Sequence, residues 1–230
     1  MLHLDHYDMF SQNFYETAYQ IDQATGLGNY DGGFFPTMGF GTKMIPLGGD
    51  QFLEVTGFID TEQFKLMSGA YPFAKFLMHR ASFFLWSFRT DTLAELEDLA
   101  RECGWEVDRD TLGEEGAQMM MNGHKVLLVE TPKGFEAVEK GMPNIYWWPD
   151  MNDHDSRFPV AEGTGDGREP QGVAWIEIGG TANDLESWFK GTLKAKDYPI
   201  RFNGKTPGLY AIGVATSKGE VEIRKPNAWA

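Results

Sequence analysis

An imidazole and a carboxylate on two separate strands are the residues of this chain best placed to do chemistry. In Leu2 to Phe10, strand alternation puts Leu4, His6 and Asp8 on one face and Asp5, Tyr7 and Met9 on the other. Tyr7 and Met9 suit the face beneath a helix, which turns His6 toward the opposite side. In Phe52 to Ile59, the residues Phe52, Glu54 and Thr56 share a face. An imidazole nitrogen and a carboxylate oxygen converging in a cleft suit a divalent ion of the Zn, Mn, Fe or Ni type. Glu54 can equally act as a base. Other chemistries lack their motifs. Neither Gly26-Leu27-Gly28 nor Gly39-Phe40-Gly41-Thr42-Lys43 continues into a phosphate-binding fingerprint, so no nucleotide cofactor is expected. The single cysteine, Cys103, excludes an internal disulfide and a cysteine metal cluster, and its place near a helix C-terminus makes it a packing residue.

The elements that must hold His6 and Glu54 repeat along the chain. Leu2 to Phe10 reads as a strand and leads into a helix capped by Asn13-x-x-Glu16 and closed at Gly26. Phe83 to Arg89 leads likewise into Thr92-x-x-Glu95, with Leu93, Leu96, Ala100 and Cys103 on one helical face and Gly104 at its end. Val173 to Ile178 leads into Asn183-x-x-Glu186, with Leu185, Trp188 and Phe189 as the apolar stripe. Strand-like segments follow each helix: Phe40 to Leu47 and Phe52 to Ile59; Ala117 to Met121, Lys125 to Val129 and Ile145 to Trp148; Ile200 to Asn203, Tyr210 to Ala215 and Val221 to Arg224. Asn122-Gly123 is a strong hairpin signal. A short helix is expected near Pro72 to His79, and the polar stretch from Pro149 to Gly172 reads as a linker or lid.

A βαβββ unit repeated in tandem, opening on Leu4-Asp5-His6 and closing on Phe52-Leu53-Glu54-Val55, with Arg89-Thr90-Asp91 leading into the second helix, resembles the glyoxalase-like proteins of the vicinal oxygen chelate superfamily. The resemblance implies an α+β fold of tandem βαβββ modules whose mixed sheets curl into a cleft. It also implies metal-ligand roles for His6 and Glu54, with Glu54 the catalytic carboxylate. On this reading residues 1–80 form a first module plus a short helix and 81–150 a second. A linker or lid spans 151–172, and 173–230 form a third, shorter module.

The second module departs from the pattern. His6 lies seven residues before Asn13, and the same count from Thr92 lands on Leu85; the closing strand Ile145-Tyr146-Trp147-Trp148 puts an aromatic where Glu54 would be echoed. Two protein ligands are few for a tightly held ion. In the third module Glu177 and Glu222 occupy comparable positions, which would complete a quartet if modules one and three met. Aromatics in place of ligands give module two an apolar wall, so Trp86 and Trp147 are expected to bind substrate, with Arg89 available to a ligand carboxylate and His154 on the lid. The run Asp150-Met151-Asn152-Asp153-His154-Asp155 lacks the glycine and glutamate of a calcium loop.

Two functions from different classes fit. One is a metal-dependent lyase, isomerase or dioxygenase acting on a small molecule with adjacent oxygens. The other is a metal-free protein that binds or sequesters a small molecule in the same cleft. A formal charge of −14 argues against nucleic-acid and anionic-membrane partners. No run of apolar residues is long enough to span a bilayer, and no secretory leader opens the chain, so a cytoplasmic protein is expected. An odd number of modules leaves a sheet edge uncovered, which predicts a homodimer.

Overall fold

The computed structural model describes residues 1–36, 39–68, 82–105, 107, 118–121, 124–127, 134–147 and 168–224. Twelve strands occur among them: β1 Leu2–Ser11, β2 Tyr30–Phe35, β3 Phe40–Gly48, β4 Gln51–Phe58, β5 Ser82–Thr90, β6 Gln118–Met121, β7 His124–Leu127, β8 Asn144–Trp147, β9 Pro170–Ile178, β10 Ile200–Phe202, β11 Leu209–Thr216 and β12 Gly219–Arg224. The helices are α1 Phe14–Thr25, α2 Thr61–Ser68, α3 Leu93–Cys103, α4 Gly134–Lys140 and α5 Ala182–Trp188, with a 3-10 turn at Ala195–Asp197. None is long and apolar enough to cross a membrane.

The first two modules share one six-stranded sheet in the order β2-β3-β4-β1-β5-β8. In each module the opening strand runs parallel to the closing one, β1 with β4 and β5 with β8, while β1 and β5 meet antiparallel at the centre. The α+β class and the tandem modules of mixed sheet are therefore as the sequence implies. β6 and β7 pair as a hairpin, Met121 opposite His124, and β6 touches β2, so the outer ends of the two modules approach one another.

Strand β2 goes unread in the sequence because Gly32 and Gly33 break its pattern. Gly32 is needed for space: a Cβ there would lie 2.2 Å from the Thr42 hydroxyl of the neighbouring strand. Asn13 and Thr92 cap α1 and α3 by accepting from the amides of Glu16 and Glu95, and Gly26 and Gly104 end them in the left-handed conformation. The α1 cap is only half a box, because the Glu16 carboxylate takes Gln20 instead of reaching back. The third cap is shifted by two residues from the sequence expectation. It is Thr181, whose hydroxyl accepts from Asp184 N–H while the Asp184 carboxylate takes Thr181 N–H at 2.8 Å. Counting seven back from that cap lands on Ala174 rather than on a carboxylate.

The third unit has the expected element order but not the pairing of the other two. Its sheet runs β10-β9-β11-β12, so the strand parallel to the opening one is the first after the helix and not the last. This sheet is a cover and not a third cleft wall. Ile176, Ile178, Ile212, Val214 and Ile223 join Tyr7, Met9, Leu53, Val55, Trp86 and Phe88 in one hydrophobic core, together with Leu96 and Cys103 of α3 and Leu185 of α5. Phe88 makes edge contacts with Tyr198 at 4.9 Å and Phe189 at 6.0 Å. Gly48 permits the close approach of the two sheets, since a Cβ there would lie 2.5 Å from the Gly172 nitrogen. Burying this much apolar surface between the sheets is the main stabilising term.

The expected helix over 72–79, the loop tip at 122–123, and most of the 149–172 stretch lie outside the described residues. Gln51 ties the two sheets, donating to Leu4 C=O at 3.2 Å and accepting from Val173 N–H at 2.8 Å. Gln51→Ala is expected to cost about 1 kcal/mol by leaving both backbone groups without this partner. Urea unfolding should show a lower midpoint with an unchanged slope.

Candidate active site

The face of the six-stranded sheet turned away from the shared core is polar at its centre, and an irregularity in β1 makes it so. Pairing between β1 and β5 runs Leu4 opposite Phe88 and then Tyr7 opposite Trp86, so Asp5 and His6 together face Ser87. Such a bulge puts two consecutive side chains on one side of the strand. Leu4, Tyr7 and Met9 enter the core, while Asp5 and His6 both turn to the opposite face. Simple alternation had assigned Asp5 to the Tyr7 side; the bulge reverses that.

The His6 ring is held on every side. Its Nδ1 lies 2.7 Å from Asp5 Oδ2 and 2.9 Å from Ser87 Oγ, and Ser87 also donates to the His6 carbonyl at 3.0 Å. A carboxylate only accepts, so Nδ1 carries the proton, and the opposite nitrogen, Nε2, is the one turned toward Asp8. Phe52 stacks on the ring at 5.0 Å and 5°, and Tyr146 meets it edge-on at 4.5 Å. Nε2 faces Asp8, whose Oδ2 is 3.7 Å away, beyond hydrogen-bond reach. Asp5 is anchored in turn. Arg89 reaches its Oδ1 at 3.5 Å and Asp50 at 2.9 Å, forming a chain of charges from the β3–β4 turn to the imidazole.

Two groups here are displaced from their ordinary acidities. Burial pulls the His6 pKa down, but the Asp5 hydrogen bond and the charges of Asp5, Asp8 and Glu54 outweigh it and leave the imidazole above 6.5. Burial beside Met44 and Phe52 pushes the Glu54 carboxyl up from 4.5, against the opposing pull of His6 and the Thr56 hydroxyl. An acid and a base with displaced pKa values on one face of the sheet are the equipment of proton transfer.

A family model for the glyoxalase-like domain matches residues 4–193. The chain belongs to the glyoxalase-like domain family. It therefore carries the vicinal oxygen chelate fold. A hypothetical protein from Staphylococcus aureus shares that fold over 90% of this chain and 88% of its own, with 12% identity and a TM-score of 0.58. A methylmalonyl-CoA epimerase from Mycobacterium tuberculosis aligns over 65% of this chain and 91% of its own, with 14% identity and a TM-score of 0.44. A search of curated proteins finds no match.

Within this glyoxalase-like sheet, His6 and Glu54 face the same side, Glu54 pairing with Asp8 across the β1–β4 ladder. Trp86 does not join them. It is fully buried in the core, and its indole N–H donates to Gly141 C=O. Trp147 also packs against the core, and the ring presented to His6 is its neighbour Tyr146. Arg89 does lie on the cleft face, but its guanidinium holds Asp5 and Asp50. His154 lies outside the described residues. Glu177 and Glu222 are remote from His6: they bond Arg224, and Glu177 also Asn203, on the outer face of the cover sheet, opposite in strand parity to Ile176, Ile178 and Ile223. That removes the His6–Glu54–Glu177–Glu222 quartet. Cys103 is a packing residue, its thiol pushed up by burial and directed at Phe189 C=O. Asp5, Ser87 and Asn144 were not singled out from sequence, and only the Leu4-Asp5-His6 adjacency hinted at the first.

These displacements set the pH dependence of stability. Folded His6 holds its proton more tightly than the unfolded chain, so its contribution is complete below pH 6.5 and is lost as pH rises through the higher folded value. Folded Glu54 resists ionisation, so stability also falls as pH rises from 4.5. His6→Gln should flatten the upper part of the profile. Glu54→Gln should flatten the lower part and make the protein more stable at pH 7, as read from urea midpoints across pH. A Glu54→Gln variant less stable at pH 7 would show that the carboxylate is structural.

Proposed function

We propose that the chain is an enzyme acting on a small molecule with adjacent oxygens, and that His6, oriented by Asp5, exchanges a proton with it through Nε2. Glu54 serves as the second acid–base group. The observation that carries this reading is the buried Asp5–His6 pair. A carboxylate on Nδ1 fixes the tautomer and turns the opposite nitrogen toward the Asp8 side of the sheet, an orientation that a merely packed histidine has no need of. The chemistry is then of the isomerase or lyase type.

A metal-assisted version is the second reading. A ligating histidine ordinarily donates its other N–H to a carboxylate, as His6 does to Asp5. The 3.7 Å between Nε2 and Asp8 Oδ2 is near the separation of two ligands on one ion with bonds of about 2.0–2.2 Å. Against it, no three His, Cys, Asp or Glu side chains among the described residues are gathered closely enough to hold an ion. Were one bound, His6 and Asp8 would be its first ligands and Glu54 would have to move in to join them, and the ion would polarise the substrate oxygens as a Lewis acid. A small-molecule binding protein without turnover uses the same floor.

Hydrogen–deuterium exchange into a panel of 2-oxo acids, hydroxyketones and diketones, followed by NMR, tests the primary reading. The expected result is exchange at carbon next to a carbonyl, lowered about 100-fold or more in His6→Ala and less severely in Asp5→Asn. Unchanged exchange in His6→Ala would sink the assignment, and binding without exchange would favour the sequestering role. Exchange lost to a chelator and restored by a divalent ion, with stoichiometric metal in protein purified without chelator, would select the metal reading.

A further inference from the structure

The register of the two modules reveals a counterpart of Glu54 that the strand pattern hides. Asp8 and Ser87 each lie five residues ahead of their helix caps, Asn13 and Thr92. Asp8 pairs with Glu54 on the closing strand of module one, and Ser87 pairs with Asn144 on the closing strand of module two. The residue answering Glu54 is therefore Asn144, not the aromatic run that follows it.

Asn144 is 1% exposed, and neither its side-chain nitrogen nor its oxygen has a hydrogen-bond partner among the described residues. Its direction follows from its own strand. Ile145 enters the core, while Tyr146, two residues on from Asn144, sets its ring against His6. Asn144 thus points to the same face as Tyr146, beside Ser87, whose hydroxyl touches His6. A buried primary amide with no partner is costly, so its retention on the cleft floor calls for a ligand.

We propose that Asn144 is a ligand-recognition residue and that it reads an α-hydroxycarbonyl. Its amide offers a donor and an acceptor side by side. An α-hydroxycarbonyl offers the complement on neighbouring atoms: the carbonyl oxygen accepts from Nδ2 and the hydroxyl donates to Oδ1. A 1,2-diketone has no donor for Oδ1. A 1,2-diol can pair both amide atoms, since a hydroxyl donates and accepts, but it has no carbonyl beside which His6 could move a proton. A neutral amide also adds no charge to a floor that already holds Asp5, Asp8 and Glu54. The inference rests on the cleft being the ligand site, and it narrows the substrate class proposed above.

The test is calorimetric titration with a matched set, an α-hydroxyketone, the corresponding diketone and the corresponding diol, against wild type, Asn144→Leu, Asn144→Ala and His6→Ala. Wild type should prefer the hydroxyketone to the diketone by about tenfold or more, because the diketone leaves Oδ1 unpaired, and should bind the diol comparably, because its hydroxyls pair both amide atoms. Both Asn144 variants should lose the preference, and His6→Ala should keep it. Asn144→Leu should also melt at a higher temperature than wild type, since it replaces an unpaired buried amide with an apolar group of similar size. Equal binding of the hydroxyketone and the diketone would overturn the Asn144 assignment and leave the cleft reading standing. Binding of none would overturn both. A lower melting temperature for Asn144→Leu, with the preference intact in Asn144→Ala, would show that the amide is structural.

Discussion

The arrangement of the site depends on one backbone irregularity. At Asp5–His6 the central strand spends two residues against Ser87 alone, so an acid and an imidazole adjacent in sequence come to lie on the same face. Regular pleating would have sent the Asp5 carboxylate into the apolar core, where an ionised group is prohibitively costly. With the bulge, that carboxylate sets the His6 tautomer and is itself held by Arg89, which reaches on to Asp50 in the turn between β3 and β4. Orientation of the ring, its raised affinity for a proton and the position of Nε2 all follow from this one step in the ladder.

The sheet can hold a polar floor because its other face is so thoroughly apolar. Helices α1 and α3 do not cover that face alone; the sheet formed by β9 to β12 packs there as well and contributes Ile176, Ile178, Ile212, Val214 and Ile223 to a single core. A rigid apolar backing fixes the strands, and fixed strands fix the distances among His6, Ser87, Tyr146 and Asn144. The third unit thus acts on the site mechanically, by stiffening what lies behind it, and brings no side chain of its own to the floor among the described residues.

The two modules are alike in backbone and unlike in chemistry. Asp8 and Glu54 on one side are answered by Ser87 and Asn144 on the other, so ionisable groups face neutral hydrogen-bonding ones across the centre of the sheet. On the function proposed above, such a division would separate the group that moves a proton from the group that recognises its ligand. No three metal-ligating side chains are gathered among the described residues, and the second module offers Ser87 and Asn144 where the first has Asp8 and Glu54.

Periodicity and caps made the modules legible in sequence, because alternation over β1 and β5 and the Asn13 and Thr92 caps are local properties of a few adjacent residues. His6 and Glu54 were legible as a pair sharing one face for the same reason. What a strand pattern could not decide was anything that depends on pairing between distant strands. The bulge that turns Asp5 and the register that makes Asn144 the partner of Ser87 both involve segments far apart in the chain. A one-residue slip in any of them moves every side chain to the other face. The third unit shows the same limit: its order of elements could be read from propensity and spacing, yet its pairing, and hence its role as a cover over the core, was decided by where its apolar face could be buried.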